Sequence, residues 1–144
     1  MNRAVELEIP ARTDFLSVAR LVVVAAASID ATLGEERLDN LRLAVSEACA
    51  NAMAAQPEDS TAAISIRCDF VEDRLEVEVI DRGPGFDPDD VPQLPPVTDP
   101  RRLEHENGLG LTLIRALTDE AEIRSSPAGT AVRLVVYAVD ADPR

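Results

Sequence analysis

Residues 71–86 read VEDRLEVEVIDRGPGF, a strand that runs into an acid and then into two glycines one residue apart. Leu75, Val77 and Val79 alternate with Glu76, Glu78 and Ile80, the period of a strand with one buried face. Residues 62–71 alternate ahead of it, and Glu72-Asp73 joins the two runs as an antiparallel hairpin. Asp81 therefore stands at a strand end, and Gly83 and Gly85 follow it in a turn. Alone, such a turn marks only a loop. Its neighbours decide whether it does more.

Downstream, residues 86–107 are proline-rich and hold no sustained period; in a compact domain a connection of that length is functional or mobile. The pattern then predicts a short helix over 109–118 and a strand pair over 121–125 and 130–139, joined by Pro127-Ala128-Gly129, with 140–144 as a tail. Upstream, residues 3–9 place Val5, Leu7 and Ile9 on one side of a strand, with Glu6 and Glu8 on the other. Pro10 ends it, and Thr13 or Asp14 can cap a helix reaching about residue 31, with Phe15, Val18, Leu21, Val22 and Ala25 at helical spacing. Past Gly34 a second helix is predicted over 35–55, striped by Leu38, Leu41, Val45, Ala48 and Ala52. There are no repeats, and 1–144 reads as one domain. Antiparallel strands with helices grouped apart predict an α+β fold, a two-layer sandwich.

With 144 residues the chain is long enough for a real core, and no apolar run approaches a membrane span. The N-terminal MNRAVELEIP carries acids where a signal peptide needs a basic segment, so a soluble, cytoplasmic protein is expected. Cys49 and Cys68 read as buried free thiols and make no metal-ligand spacing. His105 is the only histidine, which leaves little for a histidine metal site or a catalytic triad. The net charge is -13 and every basic residue is arginine. An acidic surface disfavours direct nucleic-acid binding and suits a basic protein partner. Without lysine a P-loop is excluded, so any nucleotide must be held by another scaffold.

Three features offer one. Glu47 and Asn51, four apart, share a face of the second helix, rotated from the Leu41, Val45, Ala48 stripe. A carboxylate and an amide facing one way can act as a base and as an oxygen ligand for Mg2+. Asp81 can accept a hydrogen bond from an exocyclic amine, while Gly83 and Gly85 let backbone approach a flat ligand. In ENGLGLTLI, residues 106–114, Gly108 and Gly110 precede and open a helix whose free amides favour phosphate.

In this order and spacing the three resemble the Bergerat-type ATP-binding fold of histidine kinases, gyrase-type ATPases, Hsp90 chaperones and MutL-type repair proteins. SEACANA looks like its N box, DRGPGF and NGLGL its two glycine boxes, and Gly129-Thr130 its final glycine-threonine element. The resemblance implies a two-layer α/β sandwich with a mixed, mostly antiparallel sheet covered by helices on one face. LRLAVSEACANA, VEDRLEVEV and ENGLGLTLIRALTDE narrow it to a resemblance, over about residues 5–136, to the anti-sigma factor serine-protein kinases of bacterial stress and sporulation switches.

That resemblance implies ATP and Mg2+ as cofactors. Glu47 would be the general base on a substrate hydroxyl and Asn51 would hold Mg2+. Asp81 would bind the adenine amine, with Gly83 and Gly85 shaping the pocket and Thr130 beside the base. Gly108, Leu109 and Gly110 would turn backbone amides to the phosphates, and residues 86–107 would form an ATP lid. Arg101 and Arg102 in that lid would add positive charge. Arg20 would contact the partners: a sigma factor and an anti-anti-sigma antagonist protein, which is the phosphorylation substrate. A homodimer is possible, and no direct DNA or membrane binding is implied. Two departures stand out. The N box continues NAMAAQPED where a His-Gly or His-Ala pair is common, and Glu106 stands where some members carry arginine. The expected function is an ATP-dependent serine/threonine-protein kinase and anti-sigma factor. The alternatives are an ATP-binding module that holds its partner without phosphotransfer, and a detached piece of a histidine kinase.

Overall fold

A computed structural model of the chain describes residues 3–30, 33–56, 63–71, 73–81, 106–127 and 129–138. Five strands and three helices lie among them: β1 (Arg3–Pro10), α1 (Leu16–Asp30), α2 (Glu35–Ala54), β2 (Ala63–Val71), β3 (Arg74–Asp81), α3 (Glu106–Leu117), β4 (Glu120–Ser126) and β5 (Gly129–Tyr137). The strands form one sheet in the order β1-β2-β3-β5-β4. All four pairings are antiparallel, so the described sheet is not mixed. The resemblance had implied a mixed sheet; each strand here is followed in the sheet by a neighbour running the other way.

The β2–β3 hairpin forms as its alternation demands. Ile64, Ile66 and Cys68 on β2 and Leu75, Val77 and Val79 on β3 are buried on one face. The opposite face is charged. One row of register partners crosses the whole sheet as Glu6, Arg67, Glu78, Arg133 and Glu122, alternating in sign. Opposite charges across strands suit a solvated face. Arg67 pairs with Glu6 and Asp69, and Arg133 pairs with Glu76 and Glu122. Apolar burial on one side and ion pairs on the other make two layers, with the helices on the apolar side.

α2 buries Leu41, Ala44, Val45, Ala48, Cys49, Ala52 and Met53, with Leu38 packed at the margin of the core. Gly34 precedes it without a side-chain cap, and Glu35 and Glu36 place negative charge in the first turn, where the helix dipole favours it. Packing of α1 departs from expectation. Its buried positions are Ala19, Val23, Ala26 and Ala27, whereas Val18, Leu21 and Ala25 are exposed, Leu21 to 70%. LVVVAAA is apolar all round, so periodicity cannot choose a face. These residues join the hydrophobic core, and α1 packs mainly against α2. The capping expectation also changes: Thr13–Phe15 form a 3-10 turn, and Asp14 receives a hydrogen bond from Arg12 Nη2 at 3.0 Å.

One clasp joins the layers far from the strand-end acid. Arg37 Nη1 on α2 and the Tyr137 backbone N–H on β5 both donate to Asp119 Oδ2, each at 2.8 Å. No helix among the described residues is long and apolar enough to cross a membrane.

Candidate functional site

The helix-facing side of the sheet changes character at one end. Along β3 the inward row runs Leu75, Val77, Val79 and then Asp81, which is only 4% exposed. On β5 the inward row of Leu134 and Val132 ends in Thr130, 7% exposed. These are the two buried polar side chains among the described residues. They are direct register partners, and Ser125 of β4 is Thr130's partner on the other side. Asp81, Thr130 and Ser125 thus form one polar row across three strands. The Ser125 and Thr130 hydroxyls lie 2.9 Å apart and hydrogen-bond. Gly129 makes the approach possible: its φ of 145° lies where a side chain is disfavoured, so the chain leaves the turn with Thr130 opposite Asp81. A carboxylate at the end of a core row is costly unless paired with donors.

α2 delivers the second group of residues. Glu47 and Asn51 are half-buried and share a face turned about 100° from the core stripe, as 3.6 residues per turn requires. The Asn51 Nδ2 atom is buried and finds no hydrogen-bond partner among the described residues. A carboxamide is a planar fork, so a half-turn presents Oδ1 at the same place. An amide that the protein does not tie down fits a Mg2+ ion, which takes one or two protein oxygens and fills its shell with water and phosphate. No three His, Cys, Asp or Glu side chains converge on a ready-made cage among the described residues.

α2 ends beside the acid. The Ala55 N–H donates to the Asn51 carbonyl at 3.1 Å, and the Gln56 N–H to the Met53 carbonyl at 3.2 Å. That tightened last turn brings Gln56 Nε2 to 3.5 Å from Asp81 Oδ1. α3 begins at Glu106, three residues before the expected start at 109. Of the expected amides, that of Gly108 therefore falls in the first turn, where amides lack intrahelical partners, while the Leu109 and Gly110 N–H groups fall within the ladder.

Gly83, Gly85, Arg101 and Arg102 lie outside the described residues, as does the expected lid apart from Glu106 and Asn107 in α3. Arg20 sits on α1, half-buried between buried Ala19 and exposed Leu21, away from the polar row in the chain's order of elements; no described carboxylate pairs with it. Gln56 and Ser125 were not expected at the site. Gln56 sits just past a helix whose end periodicity places only within a few residues, and Ser125 becomes visible only when β4 and β5 are put in register.

The two thiols behave as the sequence suggests. Cys49 and Cys68 are free and buried, and burial pushes them up to about 12 and about 11.

Comparison with known proteins agrees with the fold. The family described as histidine kinase-like ATPase domain matches residues 9–136. The chain is 37% identical over 137 residues to serine-protein kinase RsbW of Bacillus subtilis, covering 92% of this chain and 84% of that protein. It is 35% identical over 139 residues to an anti-sigma F factor of Caldanaerobacter subterraneus, covering 94% of each. Among solved structures, the RsbU and RsbW domains of a Mycobacterium tuberculosis protein superpose with a TM-score of 0.67 at 19% identity, over 94% of this chain and 32% of that one. A histidine kinase domain from Erythrobacter litoralis superposes with a TM-score of 0.57 at 20% identity, over 90% of this chain and 62% of that one. At those identities the structures speak for the fold alone.

Proposed function

The chain belongs to the histidine kinase-like ATPase domain family, and from that premise we propose that it is an ATP-dependent serine/threonine-protein kinase that also acts as an anti-sigma factor. ATP use comes with the family. The relatives named serine-protein kinase favour phosphotransfer over a module that only holds its partner. In this reading the protein sequesters a sigma factor and phosphorylates a serine or threonine of a small antagonist protein. Its charge of -13 suits a basic partner surface, with attraction that speeds encounter and fades with salt.

The polar row supports the reading most directly: a buried carboxylate and a buried hydroxyl meet in register at the end of α2 that carries Asn51. Asp81 accepts a hydrogen bond from the adenine 6-amino group, and Thr130 lies beside the base. Asn51 turns Oδ1 toward Mg2+, which supplies charge compensation for the phosphates when bound. The first amides of α3 face the phosphates, that of Gly108 among them. Glu47, one turn of α2 from Asn51, takes the proton from the substrate hydroxyl as that oxygen attacks the γ-phosphorus and ADP leaves. Gly83 and Gly85 shape the base pocket, Arg101 and Arg102 add charge over the phosphates, and Arg20 meets the protein partners.

The test is Glu47→Ala assayed with labelled ATP and candidate antagonists. Transfer should fall at least a hundredfold while ADP binding persists, in line with loss of a general base. Transfer at the normal rate would remove Glu47 from that role, and acid-labile label would point to histidine as the acceptor.

A further inference from the structure

Ser125 is β4's member of the polar row, and its hydroxyl lies 2.9 Å from that of Thr130. On its other side Thr130 has Asp81 as register partner, so this hydroxyl is flanked by a second hydroxyl and by a carboxylate. Both Thr130 and Asp81 are buried. Direct partners across an antiparallel pair stand about 5 Å apart at Cβ, close enough for a charge to orient a hydroxyl.

Alone, a hydroxyl reads nothing, because it can donate or accept. Here its neighbours choose. A carboxylate only accepts, so it draws the Thr130 hydrogen toward its side and repels the oxygen's lone pairs. Burial strengthens that preference, since little solvent screens it. The Thr130 oxygen then turns a lone pair to β4, and the Ser125 O–H donates to it. Hydrogen-bond polarity runs one way along the row, from Ser125 through Thr130 toward Asp81. The Gln56 amide at Oδ1 leaves this polarity in place, because the two carboxylate oxygens together offer about four acceptor positions.

We infer that Ser125 is a positioning residue that orients the Thr130 hydroxyl as a donor toward ring nitrogen N1 of a bound adenine nucleotide. The inference rests on the nucleotide-site reading above. Adenine carries its 6-amino group and N1 side by side, a donor next to an acceptor. Asp81 and Thr130 present the complement on adjacent strands, an acceptor next to a donor. Without the Ser125 hydroxyl, the Thr130 hydroxyl rotates more freely and N1 loses a fixed donor.

The experiment is a calorimetric titration of the whole chain, with Mg2+, using ADP and 1-deaza-ADP, in which a C–H replaces N1 and the 6-amino group stays. Wild type is compared with Ser125→Ala, with Ser125→Thr, which keeps the hydroxyl, and with Ser125→Ala made in a Thr130→Val background. Wild type should prefer ADP about fivefold, as for one hydrogen bond, and Ser125→Ala should bring the two nucleotides within about twofold of each other. Ser125→Thr should keep the preference. In the Thr130→Val background the Ser125 substitution should leave the preference unchanged, because Ser125 acts through Thr130. A purely structural role would weaken both nucleotides alike in Ser125→Ala. That outcome, a Ser125→Ala variant that discriminates as wild type does, or a wild type that binds both nucleotides equally overturns the inference while the nucleotide site stands. Wild-type protein that takes up neither nucleotide overturns the inference together with the reading beneath it.

Discussion

Asp81 and Thr130 come from distant parts of the chain and stand directly opposite each other on β3 and β5, both buried. No local rule of strand formation requires a carboxylate and a hydroxyl at that crossing. Substituting them should therefore separate binding from folding. Asp81→Asn keeps the shape and loses a charged acceptor, which is worth about 1.5–3 kcal/mol. ADP affinity should fall between about tenfold and a hundredfold while the far-ultraviolet dichroism stays unchanged. Thr130→Val also leaves Ser125 without that hydroxyl partner, and should cost about 1 kcal/mol of stability in urea titration.

The two faces of α1 should differ in their response. Val23 is fully buried and Leu21 is 70% exposed. Val23→Ala should lose about 2 kcal/mol by removing packed methyls, whereas Leu21→Ala should stay within about 0.5 kcal/mol. Chemical denaturation of both variants checks this, and a larger loss at Leu21 would contradict the assigned face.

That helix also shows where sequence reading runs out. The β2–β3 hairpin and the α2 stripe were legible because polar and apolar residues alternate there with an unmistakable period. In α1 both faces are apolar, so the choice fell to tertiary packing, which buries Ala19, Val23, Ala26 and Ala27. Glu47, Asn51 and Asp81 could be singled out from residue type and spacing, and Thr130 through the family resemblance. Gln56 and Ser125 could not, because one depends on how a helix end is tightened and the other on strand register. The early start of α3 was hidden by Asn107 and Gly108, which read as loop by propensity yet sit in the helix's first turn.

Asp119 holds two elements through one oxygen, accepting from Arg37 and from the Tyr137 N–H. Asp119→Ala leaves that backbone donor without its acceptor and should cost about 1–3 kcal/mol. Arg37→Ala breaks only a partly exposed ion pair and should cost about 0.5 kcal/mol. Urea midpoints of the two variants would decide; equal losses would mean that the ion pair, not the backbone bond, carries the clasp.

The thiols predict an alkaline limit. In the unfolded chain they ionise near the ordinary 9.0, but in the fold burial holds Cys49 protonated to about 12 and Cys68 to about 11. A raised folded value means stability is whole below 9.0 and is lost as pH climbs toward the folded values. Urea midpoints should therefore fall between about pH 9 and pH 11, and a Cys49→Ala, Cys68→Ala variant should show a flatter decline. An identical decline in the variant would assign the loss to other groups.

The central claim is that a purine nucleotide and Mg2+ lodge between α2 and the polar row. Calorimetry of the purified chain with ADP, with and without Mg2+, tests it most directly, with Asn51→Ala measured alongside. The account predicts one site per chain, affinity that drops when Mg2+ is withheld, and an Asn51→Ala variant that no longer responds to the metal. Absence of any ADP or ATP uptake, or uptake indifferent to both Mg2+ and Asn51, would contradict it.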